Sequence, residues 1–143
     1  MTKRKIAVLV LAAGEGTRMN SARAKALHPL AGRPMIAHVL ATVDRLKPDR
    51  VVAVIGRGMD DVARAIRPHP AGVQHPRRGT AHAVRAARRA LAGFAGAVLV
   101  LYGDTPLVRA ATLRKMLAAL ASPARPAVVA QPGEACIGRH GVE

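Results

Sequence analysis

The sequence contains very few aromatic residues. Among its 143 residues, Phe94 and Tyr102 are the only aromatic side chains, and tryptophan is absent. Proteins that bind single-stranded nucleic acid commonly stack bases on aromatic side chains, so this class of binder is disfavoured. Half of the residues are hydrophobic. That fraction excludes a disordered chain, and aliphatic side chains must therefore form the core of a single domain.

Cysteine, acidic residues and long apolar runs are also scarce. Cys136 is the only cysteine, which excludes an internal disulfide and a zinc site built from several cysteines. No apolar run approaches the ~18 to 20 residues that cross a membrane, so we expect a soluble protein. Only 8 Asp and Glu accompany 23 Lys and Arg, giving a formal charge of +15. This excess predicts attraction to polyanions, although its even spread favours ordinary solvated surface.

The apolar run from Ile6 to Ala13 follows three basic residues, as in a secretory signal. The run is short, contains β-branched residues and stops at Gly14 and Gly16. These features favour a buried strand that enters a glycine loop.

Strand patterns and helix patterns alternate along the chain. Strands are predicted at Lys5 to Leu11, Val51 to Ile55, Gly72 to His75 and Ala97 to Leu101, and helices at Pro34 to Leu46, Met59 to Ile66, Thr80 to Leu91 and Leu107 to Leu120. The alternation predicts a Rossmann-like, three-layer α/β/α domain with a mainly parallel sheet over residues 1–130. Residues 131–143 show no period and are expected to form an irregular tail, while 126–130 could add one more strand.

The segment after the first strand has the composition of a phosphate-binding loop. Gly14 and Gly16 let the backbone approach a phosphate, and Arg18 and Lys25 supply positive charge. The spacing fits neither the dinucleotide fingerprint nor the P-loop. A plain turn would explain the glycines but not the basic residues, so a phosphate loop is favoured.

Asp104 follows the third strong strand, where ligands of parallel sheets bind. A carboxylate in this position suits Mg²⁺ bound to nucleotide phosphates, which takes one or two protein carboxylates. Asp104 or Thr105 could equally cap the next helix. Position alone leaves both interpretations open.

Three ordered groups of residues resemble the sugar-phosphate nucleotidyltransferases. They are Leu9-Val10-Leu11-Ala12-Ala13-Gly14-Glu15-Gly16-Thr17-Arg18-Met19 with Lys25, Leu27-His28, Leu30-Ala31-Gly32-Arg33-Pro34-Met35 and His38-Val39; Gly79-Thr80-Ala81-His82-Ala83; and Leu101-Tyr102-Gly103-Asp104-Thr105-Pro106-Leu107. Within that family, the chain is most similar to the N-terminal uridylyltransferase domain of the bacterial bifunctional enzyme that makes UDP-N-acetylglucosamine. The resemblance covers about residues 5 to 120.

The resemblance implies a role for each matching residue. The nucleotide would be held by backbone groups of Leu11, Ala12, Ala13 and Gly14, and its triphosphate would be acted on by two catalytic residues, Arg18 and Lys25. Uracil and its surroundings would be contacted by Gln74, Gly79 and Thr80, and the nucleotide and sugar pocket would be lined by Tyr102 and Gly103. Asp104 would bind Mg²⁺, and Gly138 would belong to the sugar site. The implied reaction is attack of N-acetylglucosamine-1-phosphate on the α-phosphate of UTP, with pyrophosphate leaving. Such a step depends on positioning and charge neutralisation rather than on a covalent nucleophile.

The resemblance also implies a metabolic role, and the sequence departs from the family pattern at several positions. The product would serve cytoplasmic peptidoglycan synthesis, without a specific nucleic acid or a membrane as partner, and with homo-oligomerisation left open. The family has Pro where Ala24 stands, and Glu and Gln where Pro76 and Arg77 stand, which leaves uracil selection open. Family domains continue further, toward a second metal ligand and an acetyltransferase. We therefore expect a truncated chain whose sheet has an uncovered far edge and whose turnover is weak.

Two other functions are consistent with the sequence. One is a non-catalytic basic α/β module, or inactive fragment, that binds nucleotides or other polyanions. The other is a different nucleotidyltransferase, since the cytidylyl- and guanylyltransferases share the glycine segment. Of the remaining residues, His82 is expected to cap or pack near a helix start, and Arg85, Arg88 and Arg89 are expected to form one basic helical face.

Overall fold

A five-stranded sheet, with four parallel strands, forms the centre of the molecule. The structure is a computed structural model that describes residues 5–16, residues 21–120 and the backbone of residues 136–138. Its strands are β1 (Ile6–Leu11), β2 (Pro29–Leu30), β3 (Arg33–Pro34), β4 (Arg50–Gly56), β5 (Ala71–Gln74), β6 (Ala97–Tyr102) and β7 (Cys136–Gly138), and its α-helices are α1 (Met35–Asp44), α2 (Asp60–Ala65), α3 (Gly79–Ala86) and α4 (Ala110–Ala119). The sheet order is β5-β4-β1-β6-β7, with β7 antiparallel to β6.

Strand β1 lies at the point in the sheet where the side on which the chain adds new strands changes. After β1 the chain adds β4 and β5 on one side, and it then returns to add β6 on the other side. Leu11 at the end of β1 pairs with Val54 of β4 and Tyr102 of β6. Since all four parallel strands end at this edge, the crevice for a ligand is expected here.

Alternate residues of β1 pack against two different helical layers. Val8 and Val10 belong to the core cluster that contains residues of α1, α2 and α4, whereas Ala7, Leu9 and Leu11 pack with α3. A strand covered on both faces is typical of a parallel sheet, and this arrangement confirms the predicted three-layer α/β fold. None of the helices described is both long enough and apolar enough to cross a bilayer.

The predicted elements occur, but two helices have different ends. Helix α4 begins at Ala110 rather than Leu107 because residues 102–108 form turns, in which the Thr105 hydroxyl donates to the Tyr102 carbonyl at 2.9 Å. Helix α3 ends at Ala86 rather than Leu91, since i→i+3 bonds such as Arg88 N to Arg85 O follow it. The expected basic helical face of Arg85, Arg88 and Arg89 is therefore split between a helix and a turn.

The prediction of an irregular tail over residues 131–143 is wrong at Cys136–Gly138. These residues form β7, which pairs with Val98, Leu99 and Val100 of β6. The edge of β6 is therefore covered at these three residues, not open as expected, and β7 is the edge strand on this side. Strand β7 is held by hydrogen bonds to the backbone of β6, and its three residues are too few to show the alternation from which a strand is predicted. The additional strand considered at 126–130 lies outside the described residues.

A short hairpin before α1 has no counterpart among the predicted elements. Its strands β2 and β3 pair Leu30 with Arg33, and Ala31 and Gly32 make the turn with φ of 49° and 76°. Strands of two residues are too short to produce a recognisable period. The hairpin lies between Lys25 and α1 in the chain.

Candidate functional site

A cleft of about 280 Å³ opens at the carboxyl ends of β1, β5 and β6. Its walls come from the loops that follow these strands and from the start of α3. The lining residues are Leu11, Ala12, Ala13, Gly14, Lys25, Ala26, Gln74, Arg77, Gly79, Thr80, Ala83, Tyr102 and Asp104. The fold thus brings together most of the residues that the sequence motifs selected, although the motifs lie far apart along the chain.

Two of the selected residues, Gly103 and Gly138, do not line this cleft. Arg18 lies outside the described residues. Gly103 is buried, donates its N–H to the Leu11 carbonyl at 2.8 Å, and would place an added Cβ 3.1 Å from the Cβ of Ala12. Gly138 pairs with Val98 near the amino end of β6, so the antiparallel register carries it away from the cleft. The role of Gly138 in a sugar site stays a prediction.

The backbone of the glycine loop is held by the neighbouring strands. The Ala12 N–H donates to the Val54 carbonyl at 2.7 Å, and the Leu11 carbonyl accepts from Gly103. The Ala12 N–H therefore cannot donate to a ligand without breaking a bond of the fold, whereas the Leu11 carbonyl keeps a second lone pair. Ala13 and Gly14 follow, and within the described part of the chain no hydrogen-bond partner is found for their amides. These two amides are available as donors to a ligand, and the backbone contacts predicted for Leu11, Ala12, Ala13 and Gly14 stay predictions.

Gly16 allows the loop to pack directly on Lys25. Its φ is +67°, and an added Cβ would lie 3.0 Å from the Cβ of Lys25. A side chain would be strained by the backbone conformation and would also crowd the lysine. Lys25 begins the short 3-10 helix Lys25–Leu27, so the loop and this turn together fix the base of the lysine side chain.

Lys25 and Asp104 form an ion pair within the cleft. The Lys25 Nζ lies 2.5 Å from Asp104 Oδ2, with the two side chains 46% and 24% exposed. The capping interpretation of Asp104 and Thr105 is wrong, because α4 starts after Arg109 and no side chain caps it. In the residues that the structure describes, no group of three or more His, Cys, Asp and Glu could hold a metal. Asp104 is therefore a single carboxylate beside a single lysine.

A second cation, Arg77, lines the cleft and was not among the residues selected from the sequence. Its guanidinium pairs with the Glu15 carboxylate of the glycine loop. It also lies over Gly56 at the end of β4, because an added Cβ on that glycine would meet the guanidinium. The pair of basic residues before Gly79 was the available signal, but sequence alone does not bring Arg77 to Glu15.

Gln74 is the buried polar side chain of this region. It is 3% exposed, and its Nε2 lies 3.0 Å from the Gly79 carbonyl and 3.3 Å from His82 Nδ1. Gly79, at φ +79°, starts α3 and lets the chain turn over the Gln74 amide. His82, expected to cap or pack, does not cap α3 and has a polar partner instead.

The sheet order, the glycine loop and the lysine–carboxylate pair together define a nucleotidyltransferase domain. Residues 8–138 match the family described as the MobA-like NTP transferase domain, and the chain belongs to this family.

The curated relatives are much longer than this chain. The chain is 55% identical to the Bifunctional protein GlmU of Paramagnetospirillum magneticum over 129 residues, which make up 90% of this chain and 29% of that protein. It is 54% identical to the Bifunctional protein GlmU of Rhodospirillum rubrum over 125 residues, or 87% of this chain and 28% of that protein. The chain thus spans less than a third of the length of these relatives.

Solved structures share the fold. Rv0371c from Mycobacterium tuberculosis H37Rv aligns with a TM-score of 0.69 and 26% identity, covering 82% of this chain and 61% of that one. The 4-diphosphocytidyl-2C-methyl-D-erythritol synthase of Anaerococcus prevotii aligns with a TM-score of 0.66 and 16% identity, covering 96% of this chain and 65% of that one. The second similarity concerns the fold alone.

Proposed function

We propose that this chain binds UTP with Mg²⁺ in the cleft and transfers UMP to N-acetylglucosamine-1-phosphate. UDP-N-acetylglucosamine and pyrophosphate would be the products. The 55% identity to a GlmU protein supports this choice of substrates. The observation that carries the proposal is the Lys25–Asp104 ion pair, 2.5 Å long, in the cleft beyond the carboxyl ends of β1 and β6.

The cleft has the charge that a triphosphate needs. Lys25 and Arg77 line it, and each is paired in the ligand-free protein with one carboxylate, Asp104 and Glu15 respectively. Phosphate oxygens would replace those carboxylates as partners, and the amides of Ala13 and Gly14 would add neutral donors. Arg18, which follows Gly16 by two residues, is proposed as a further cation for the same phosphates.

Asp104 fits the metal that such a reaction requires. Mg²⁺ bound to nucleotide phosphates takes one or two protein carboxylates and completes its octahedron with phosphate oxygens and water. Asp104 is partly exposed, lines the cleft and already balances a positive charge. When bound, the ion would neutralise phosphate charge and favour pyrophosphate as the leaving group. Lys25 would then turn from Asp104 to the phosphate oxygens.

The remaining lining residues are assigned to the base and the sugars. Gln74, Gly79 and Thr80 lie on the β5–α3 side of the cleft and are proposed to contact uracil, while Tyr102 on β6 is proposed to line the ribose and acceptor sugar. One oxygen of the sugar phosphate would attack the α-phosphorus as the bond to pyrophosphate breaks, with no covalent enzyme intermediate. In-line placement of the two reactants supplies most of the rate in such a step. The product would feed cytoplasmic synthesis of peptidoglycan.

Calorimetry with purified protein tests the proposal. UTP is titrated at moderate salt with Mg²⁺ and then with excess EDTA, and product formation from UTP and N-acetylglucosamine-1-phosphate is followed in parallel. We expect UTP binding that requires the metal. Equal affinity with and without Mg²⁺, or no binding of UTP, would contradict the proposal.

The charge of +15 favours a second candidate, a non-catalytic basic module that binds polyanions. Electrostatic binding of this kind weakens steeply as salt rises. A duplex oligonucleotide titrated at two salt concentrations separates the candidates. The second is supported if the oligonucleotide binds more tightly than UTP at low salt, if that binding weakens steeply at the higher salt, and if Mg²⁺ does not strengthen the binding of UTP.

A further inference from the structure

The amide of Gln74 has a fixed orientation. Gln74 is the only buried polar or charged side chain among the described residues, at 3% exposure. Its Nε2 lies 3.0 Å from the Gly79 carbonyl oxygen. A carbonyl can only accept a hydrogen bond, so the atom facing Gly79 must be the amide nitrogen and not the oxygen.

The second hydrogen of that nitrogen is directed at His82. The Nε2–Nδ1 distance is 3.3 Å, and because the amide nitrogen can only donate, Nδ1 of His82 must accept. The imidazole must then carry its proton on Nε2. Both amide hydrogens are thus used inside the protein, one by the Gly79 carbonyl at the start of α3 and one by His82 in the first turn of that helix.

The oxygen is consequently the polar atom that this amide can offer to a ligand. Gln74 lines the cleft, whereas His82 does not. An amide oxygen accepts a hydrogen bond from a ring N–H. Uracil carries such a donor at N3, and cytosine carries an acceptor at the same position, so a fixed Gln74 oxygen would favour uracil and repel cytosine.

We infer that His82 is a positioning residue for base selection, acting through Gln74 on the nucleotide without touching it. The inference rests on the proposed binding of UTP. By holding the second amide hydrogen, His82 prevents the amide from rotating and keeps its oxygen directed at the base. A site whose buried polar groups are already arranged rejects a mismatched ligand because the mismatch leaves them unpaired.

Two substitutions at position 82 separate this role from simple packing. In His82→Asn, the side-chain oxygen lies at the same number of bonds from Cβ as Nδ1 and keeps an acceptor there; His82→Leu removes the acceptor but fills space. The affinities of Mg²⁺-UTP and Mg²⁺-CTP are measured for both variants, for Gln74→Leu and for the double variant with His82→Leu. Circular dichroism establishes that each variant is folded.

We expect His82→Leu to lower the preference for UTP over CTP by about three- to tenfold, the effect of one net hydrogen bond. His82→Asn should retain most of the preference. In the Gln74→Leu background, His82→Leu should cause no further change in the preference, because the two residues act through one another. Nitrogen NMR of the ligand-free protein should show His82 Nδ1 without a proton.

Several results would overturn the inference. Equal losses of UTP and CTP affinity in His82→Leu would assign His82 to structure alone, and an additive loss in the double variant would mean that it acts independently of Gln74. A proton on Nδ1 in the NMR spectrum would remove the hydrogen bond on which the inference rests. If the wild-type protein fails to bind UTP, the proposed function fails first, and that result is visible before any variant is made.

Discussion

Charged side chains at the two ends of the sheet have different kinds of partner. At the amino end, Asp49 accepts from the backbone N–H of Ile6 at 2.7 Å, and Arg50 donates to the carbonyls of Ala90 and Ala92 at 3.0 Å. At the carboxyl end, Lys25 pairs with Asp104 and Arg77 pairs with Glu15. The side chains of Asp49 and Arg50 bind the backbone, whereas those of Lys25 and Arg77 bind other side chains. A side-chain pair also occurs at the amino end, where Asp44 Oδ1 lies 3.4 Å from His69 Nε2.

The difference separates residues that hold the fold from residues that can bind a ligand. A backbone group cannot leave its position without unfolding the chain around it. A side chain that is hydrogen-bonded to such a group therefore stabilises the fold and is not available to a ligand. Two side chains on different loops can separate when phosphate or a cation offers each a new partner. Cavity size does not make this distinction, because a cavity of about 510 Å³ at the amino end, lined by Asp49 and Arg50, is larger than the cleft.

The sharpest test of the comparison is Asp104→Asn. The change keeps the shape of the side chain but removes the charge proposed to bind Mg²⁺. We expect Mg²⁺-dependent turnover, or Mg²⁺-dependent UTP affinity where turnover is too slow to follow, to fall about 10²- to 10³-fold, as when one preorganised electrostatic group is lost. Asp61→Asn is the matched control, since Asp61 pairs with Arg64 on the surface of α2. An unchanged response to Mg²⁺ in a folded Asp104→Asn protein would remove Asp104 from the site.

Lys25→Met tests the cation of the same pair. We expect UTP affinity to fall about 10- to 100-fold, because a charge-assisted hydrogen bond to phosphate is lost, while uridine affinity stays the same. The dependence of UTP binding on salt should weaken as well. Lys115→Met, on the exposed surface of α4, provides the control in the same titrations. Equal losses for UTP and uridine would show that Lys25 supports the loop and does not contact phosphate.

Asp49→Ala tests the amino end. The variant removes the acceptor for the Ile6 N–H at the start of β1, and we expect the free energy of unfolding to fall by about 1–3 kcal/mol. UTP affinity of the folded protein should not change. Urea denaturation and calorimetry measure the two quantities. A loss of nucleotide affinity without a loss of stability would contradict the assignment of this end to the fold.

The smallest effect is expected for Arg77→Gln. The Arg77–Glu15 pair is partly exposed, so its loss should change stability by less than about 1 kcal/mol. We expect UTP affinity to fall only about two- to fivefold, because the cleft loses one of its cations. Arg78→Gln, a neighbour that does not line the cleft, is the control. A loss as large as that of Lys25→Met would mean that Arg77 is an equal phosphate ligand.

The sequence was sufficient to predict the fold class and most of the cleft lining, because both depend on local patterns. The apolar runs of β1, β4 and β6 predict buried strands, and polar residues directly after them must meet at one edge. Arg77 could not be assigned in this way, since its contact with Glu15 joins loops that lie 62 positions apart. The two interpretations of Asp104 could not be separated from the sequence, because its pattern does not show that α4 starts only after Arg109. Strand β7 could not be predicted, because three residues are too few to show a period.

Strand β7 has a further consequence for the behaviour of the chain in solution. The segment Ala-Val-Leu-Val-Leu-Tyr of β6 is uncharged and rich in residues that favour extended structure, the composition of segments that form intermolecular β-structure. It lies between β1 and β7, and β7 covers the backbone from Val98 to Val100. The edge at the other side of the described sheet is β5, a strand of only four residues that contains Gly72. This segment is therefore an interior strand where β7 covers it, and the two edges of the described sheet, β5 and the three-residue β7, are too short to be good templates for a neighbouring molecule.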